Sequence, residues 1–197
     1  MFLKIENVYI VFSIFLFVLS QKASAEEISK NKIINHLNSL KNFSASFIQD
    51  NGSELSEGKV YIGKKRVRAE YIFPTRILIV LDEDKAMYYN YDLEEDEFFN
   101  PKNTNAWFLY DIFRNPKFLK DSMLEVKNNE IILEKVGFDN ENTTYSVKIL
   151  LENKPLILRS IEVYHGDESI RLSIYNHNYN QIFDEDFFKL INPSFLN

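Results

Sequence analysis

Residues 58–91 read GKVYIGKKRVRAEYIFPTRILIVLDEDKAMYYNY, and this run restricts the possible folds more than any other stretch of the chain. Val67, Ala69, Tyr71 and Phe73 alternate with Arg66, Arg68 and Glu70. A period of two is the mark of a half-buried strand in an antiparallel sheet. Pro74 interrupts the run because it has no amide hydrogen for a sheet ladder. The segment 77–81 is apolar throughout, and Asp82-Glu83-Asp84-Lys85 turns the chain into Ala86-Met87-Tyr88-Tyr89. One face of this meander is oily and aromatic, so a core, a partner or a ligand has to cover it.

The rest of the chain extends the pattern. Ser29 is placed to cap a helix in which Ile33, Ile34, Leu37 and Leu40 recur at the three-to-four spacing of an amphipathic face. Phe43, Ala45 and Phe47 alternate with Ser44 and Ser46, which predicts a strand, and Asn51-Gly52 opens a turn. One more short strand is expected at 94–99. Residues 105–119 break the alternation: Trp107, Phe108, Leu109, Tyr110, Ile112 and Phe113 crowd nearly every side of a short helix ended by Asn115-Pro116. A helix apolar all round needs cover on all sides or an apolar ligand to hold. Strands then return at 122–126, 130–136, 143–151, 155–164 and 169–175, with a last short one at 187–190. Their spacing of roughly ten residues suits an all-β barrel or sandwich.

A chain of 197 residues with 45% hydrophobic content makes one well-packed domain. The absence of cysteine excludes disulfides, thiolate metal sites and cysteine nucleophiles. Residues 1–25 form a secretory signal: Lys4 precedes an apolar run from Val8 to Leu19, and Ala23-Ser24-Ala25 is an A-x-A cleavage site. The run is shorter than the ~20 residues needed to span a bilayer. Residues 26–197 are then a single exported, soluble, acidic domain. The whole chain carries a formal net charge of −6, which argues against nucleic acid as a partner.

No catalytic constellation is visible. His36, His165 and His177 are scattered without metal-ligand spacing, so no metal site is expected, and there is no nucleophile elbow or glycine-rich phosphate loop. Paired acids such as Asp82/Asp84 and Glu94/Glu95/Asp96 read as solvated turn and edge residues. Lys64-Lys65-Arg66 with Arg68 reads as a hairpin tip plus an exposed face, or as positive charge at the mouth of an apolar cavity. The chain is not expected to be an enzyme.

Taken together, these pieces resemble the periplasmic outer-membrane lipoprotein carrier family, along essentially the whole mature length. The resemblance rests on a helix leading into an F-x-A-x-F-x-Q strand (Phe43, Ala45, Phe47, Gln49) and a following Gly58-x-x-Tyr61. It continues with a basic turn, an R-x-R-x-E-Y strand (Arg66, Arg68, Glu70, Tyr71) and an apolar strand ending in Asp82. The Tyr88-Tyr89-Asn90 strand and the pattern Ile182, Asp184, Phe187 before Pro193 complete it. The family implies a mainly β fold with some helix: an unclosed, strongly curved antiparallel half-barrel with helices as a lid over its concave face. It implies a monomeric carrier, without cofactor, whose cavity takes the acyl chains of lipoproteins. Such a carrier receives them from an ABC-type release complex of the inner membrane and delivers them to an outer-membrane receptor. The acyl-chain cavity would comprise Phe43, Ala45 and Phe47 from one strand, Val67, Ala69, Tyr71 and Phe73 from another, and Trp107, Phe108, Ile112 and Phe113 from the lid.

This chain departs from the family pattern in three places. Gly63-Lys64-Lys65 stands where the family usually has Arg-Pro, so the arginine that holds the lid closed is at best replaced by Lys64. Lysine is a point donor without the planar fork of arginine. Asp82-Glu83 replaces an Asp-Gly turn, and Glu95 stands in place of a frequent Gln. The main alternative is a lipid- or lipoprotein-sensing regulatory module of the cell envelope on the same half-barrel; such proteins usually carry a second domain, whereas this chain ends just after the last barrel strand, which favours the carrier.

Overall fold

A computed structural model describes residues 28–139 and 141–196, and the expected leader at 1–25 lies outside them. Eleven strands form one antiparallel sheet: β1 (Phe43–Asp50), β2 (Leu55–Ile62), β3 (Val67–Phe73), β4 (Ile77–Leu81), β5 (Ala86–Asn90), β6 (Glu95–Phe99), β7 (Met123–Lys127), β8 (Glu130–Phe138), β9 (Thr144–Asn153), β10 (Leu156–His165) and β11 (Glu168–Asn178). Their order is β6-β5-β4-β3-β2-β1-β11-β10-β9-β8-β7. Each half is a simple meander, and the pairing of β1 with β11 joins the two halves in the middle. β6 and β7 lie at opposite ends of that order, so the sheet does not close into a barrel.

The register slips between Ser44 and Ser46, between Glu57 and Gly58, and between Leu158 and Ser160. Each such irregularity bends a strand and increases its twist, which is how a sheet of this width curls. Gly58 makes one of these sites possible. A Cβ there would lie 2.3 Å from the Glu70 carbonyl oxygen and 2.6 Å from the Phe47 ring.

Two helices lie over the concave face and share its core. In α1 (Lys30–Ser39) the Ser29 side chain accepts from the Lys32 amide at 3.3 Å, and Ile33, Ile34 and Leu37 are buried. α2 (Ala106–Arg114) runs into a 3-10 turn at Pro116–Asp121, and α1 packs against both.

The convex face departs from expectation. Residues 187–190 are not a strand; they belong to an irregular segment that crosses the outside of the N-terminal half of the sheet. Arg68 Nη1 donates to the Phe187 carbonyl at 2.6 Å and Arg66 Nη1 to the Phe188 carbonyl at 3.0 Å. Arginine side chains thus take carbonyls that a sheet ladder would otherwise use. The Arg68 guanidinium lies 4.4 Å from the centre of the Phe187 ring, and Phe187 meets Tyr61 edge-on at 4.9 Å. Only 14% of the Arg68 side chain is exposed, so this side of β3 is not the open basic face that alternation suggests. Leu190 packs on Leu78, Val80, Met87 and Tyr89, which form a second small core. Residues 77–81 are apolar throughout because both their faces are covered.

Candidate functional site

The concave face of the half-barrel is assembled from alternate residues. Phe43, Ala45 and Phe47 of β1 and Val67 and Ala69 of β3 are buried there, and Tyr71 is half-buried. From above, α2 sends Phe108, Ile112 and Phe113 into the same core, with Trp107 half-buried at its border. Ten of the expected cavity residues therefore meet in one apolar cluster. The eleventh, Phe73, does not: it is 56% exposed. The register slip at Glu57/Gly58 sets Phe73 opposite Glu57 beyond the covered part of β3, so alternation carries it past the end of the core.

A space of only about 10 Å³ remains between sheet and helix, lined by Phe47, Val60, Ala69, Tyr71, Leu109, Phe113, Leu172 and Ile174. That is hardly room for one water molecule, so the interior is closed and filled by its own side chains. Phe47 and Tyr71 meet edge-to-face at 5.1 Å. The one polar atom in this lining, the Tyr71 hydroxyl, donates to Gln49 Oε1 at 2.8 Å, and burial pushes its pKa up to about 12.

The Lys64 side chain makes no fastening contact among the described residues. It is exposed, and what Lys64 contributes is its backbone carbonyl. The fastening comes from the other side. Arg114, at the end of α2, donates through Nη1 to the Gly63 carbonyl at 2.8 Å and the Lys64 carbonyl at 3.2 Å, and through Nη2 to the Leu40 carbonyl at 2.6 Å. One guanidinium therefore ties α2 to the β2–β3 turn and to the end of α1. Its Nε is buried without a partner, and burial lowers its pKa. Sequence reasoning missed this residue, although the lone arginine closing the last turn of a largely apolar helix was a signal in plain view. Tyr110 adds a weaker bond, its hydroxyl donating to the Lys65 carbonyl at 3.3 Å.

Two other polar groupings hold structure together rather than suggest chemistry. His165 Nε2 and Asp139 Oδ2 are 2.7 Å apart, and Asp139 Oδ1 accepts from the Glu141 and Thr143 amides, which shapes the β8–β9 turn. Asp82 accepts from Arg66 Nε at 2.6 Å. Among the described residues no group of three or more His, Cys, Asp or Glu is placed to hold a metal ion, and no helix is long and apolar enough to cross a membrane.

The chain is thus an open, curved antiparallel sheet whose apolar hollow is covered by a fastened helix, a half-barrel class of fold. Residues 38–191 match the family model described as outer membrane lipoprotein carrier protein LolA, and the chain belongs to that family. No curated protein matches it. Among solved structures, the MucA/MucB complex of Pseudomonas aeruginosa is similar with a TM-score of 0.48 and 12% identity, over 81% of this chain and 58% of that one. A structure of MucB gives 0.48 and 11%, over 81% and 62%. LprF from Mycobacterium bovis gives 0.39 and 8%, over 78% and 92%. The chain thus spans about three fifths of the MucB chains it matches.

Proposed function

We propose that the protein is a periplasmic carrier that shelters the acyl chains of lipoproteins beneath α2. It would take them from an ABC-type release complex in the inner membrane and hand them to a receptor at the outer membrane. The observation that carries this reading is the α2 closure: an apolar helix face over an apolar sheet face, fastened at one end by Arg114 to backbone carbonyls. Neutral carbonyls make a releasable latch, since no ion pair has to be broken when the helix lifts.

The magnitudes are compatible with opening on demand. A hydrogen bond to a charged group contributes roughly 1.5–3 kcal/mol. Each methylene moved out of water contributes about 0.8 kcal/mol. A dozen methylenes therefore supply roughly 10 kcal/mol, enough to offset the latch and the displaced side-chain packing. Release remains possible because the closed interior is itself well packed and its side chains compete with the acyl chains for the same surface.

The test is hydrogen exchange with and without a synthetic diacylated peptide. Amides of residues 105–119 should exchange faster than those of residues 66–73 in the free protein and slow when the acylated peptide is added. Equal protection in both segments, unmoved by the ligand, would make α2 ordinary core and remove the carrier reading.

A further inference from the structure

A second, far roomier space beside α2 lies on its outer side. A groove of about 820 Å³ runs between this face of the helix, the turn that contains Glu83, and the ends of β8, β9 and β10. Trp107, Tyr110, Tyr145 and Phe138 give it aromatic walls, and Phe138 is 70% exposed there. Trp107 is held in place by stacking on Phe108 at 3.8 Å and by an edge contact with Tyr145 at 5.9 Å.

The charges around this groove do not balance. Its permanent cations are already engaged: Lys102 Nζ is 2.5 Å from Asp84 and Arg114 is bonded to three carbonyls, while His165 Nε2 meets Asp139. The carboxylates of Glu83, Asp111 and Glu141 face the same space, and none of them has a hydrogen bond or ion pair among the described residues. Asp111 is partly buried on α2, one turn before the latch arginine, where desolvation raises its pKa to about 6. A carboxylate withdrawn from water, without a direct hydrogen bond or ion pair and drawn only from a distance by Lys102, is stabilised further by an incoming cation. Aromatic faces beside it favour an alkylammonium or guanidinium over a small hydrated ion.

We propose that this groove docks a cationic polypeptide segment, namely the stretch of cargo chain that follows an acyl end held beneath α2. The cargo assignment rests on the carrier reading above; the cation preference rests on the groove alone. The inner face of α2 carries Phe108, Ile112 and Phe113, and its outer face carries Asp111 and the half-buried Trp107. A chain anchored on one side of the helix passes the other as it leaves.

Calorimetric titration of the protein with an unlipidated lysine-rich peptide, and with its glutamate-rich counterpart, tests this. The lysine-rich peptide should bind saturably and weaken as salt is added, and the glutamate-rich one should not bind. Asp111→Asn should weaken the lysine-rich peptide by roughly tenfold, and Glu83→Gln, on an exposed turn, should weaken it by a smaller factor. Equal binding of the two peptides, or unchanged affinity when both carboxylates are neutralised, would overturn the proposal. Hydrogen exchange with the diacylated peptide keeps the two readings apart. Peptide docking without any response of residues 105–119 would keep the cation groove and remove the carrier. A lid response without lysine-peptide docking would keep the carrier and remove the groove.

Discussion

Arg114 reverses the direction in which the closed state is fastened: the helix donates and the β2–β3 turn accepts. Because the turn gives the latch only carbonyls, the latch itself does not depend on the Lys64 side chain. Arg114→Gln should lower the unfolding free energy by about 2 kcal/mol, whereas Lys64→Ala should change it by less than about 0.5 kcal/mol. Denaturant melts compare the two, and an equal loss for both would shift the latch back to the turn. Asp111 sets a pH dependence on the same helix. Its pKa is raised from 3.8 to about 6 by burial in the closed state, while an open or unfolded state hydrates the carboxyl. The closed state then holds the proton more tightly, so it loses stability as pH rises from 3.8 to about 6 and stays lower above that. His36 and His177, whose pKa values burial lowers, act in the opposite sense as pH falls. The difference between the protein and Asp111→Asn isolates the carboxyl: the variant should be the more stable above about pH 6, and the two should converge below 3.8. A constant gap across that range would show that Asp111 stays hydrated in the closed state.

At the scale of elements, two glycines show how tightly the layers are set. Gly58 sits where the Phe47 ring crosses β2, and any Cβ meets the Glu70 backbone oxygen as well as that ring. Backbone cannot swing aside as a side chain does, so Gly58→Ala should destabilise by about 2 kcal/mol. At Gly63 the nearest atoms to an added Cβ belong to the Phe188 ring, at 2.8 Å, on the convex side. The Phe188 ring belongs to the crossing segment and can shift, so Gly63→Ala should cost less than Gly58→Ala. Thermal melts of the two variants rank them, and the reverse order would mean that the crossing segment is more rigid than β3. This segment also explains the uneven edges of the sheet. β6 carries Glu95, Asp96 and Glu97, and Asn192 reaches it through a 2.7 Å bond to Asp96. Charges and a covering segment of this kind guard an edge strand against pairing with another chain.

For the molecule as a whole, an interior with only about 10 Å³ of space means that an acyl chain, on the proposed carrier reading, would have to displace α2 to enter. Trp107, the one tryptophan in the chain, rides on that helix and packs on Phe108 and Tyr145. Adding a long-chain fatty acid should therefore shift its emission to longer wavelength as these contacts loosen, and should raise the melting temperature by mass action. Unchanged emission together with a raised melting temperature would place the ligand somewhere other than beneath α2.

Much of the architecture was written locally. Alternation at Val67, Ala69 and Tyr71, the Ser29 cap, the turns at Asn51-Gly52 and Asp82-Glu83, and the all-round apolar helix before Asn115-Pro116 each depend on residues a few positions apart. Side-chain period and backbone preference are properties of neighbours, so these elements could be read in order. The exposure of Phe73 could not, because a register slip on the adjacent strand decides where β3 leaves the core. Nor could the convex cover: Phe187, Phe188 and Leu190 look like a strand, and only Arg66 and Arg68, some 120 positions away, claim the carbonyls that deny them a ladder. The latch belongs with these. Arg114 meets carbonyls 50, 51 and 74 positions distant, and an arginine's donors are matched to particular acceptors only after the sheet has curled and α2 has settled over it. The sequence alone determined both helices, the strands of the sheet and the apolar faces to be covered, though not that 187–190 lies outside the sheet; tertiary packing decided which face each cover took and which residue fastened it, because those choices rest on contacts between residues that no local pattern links.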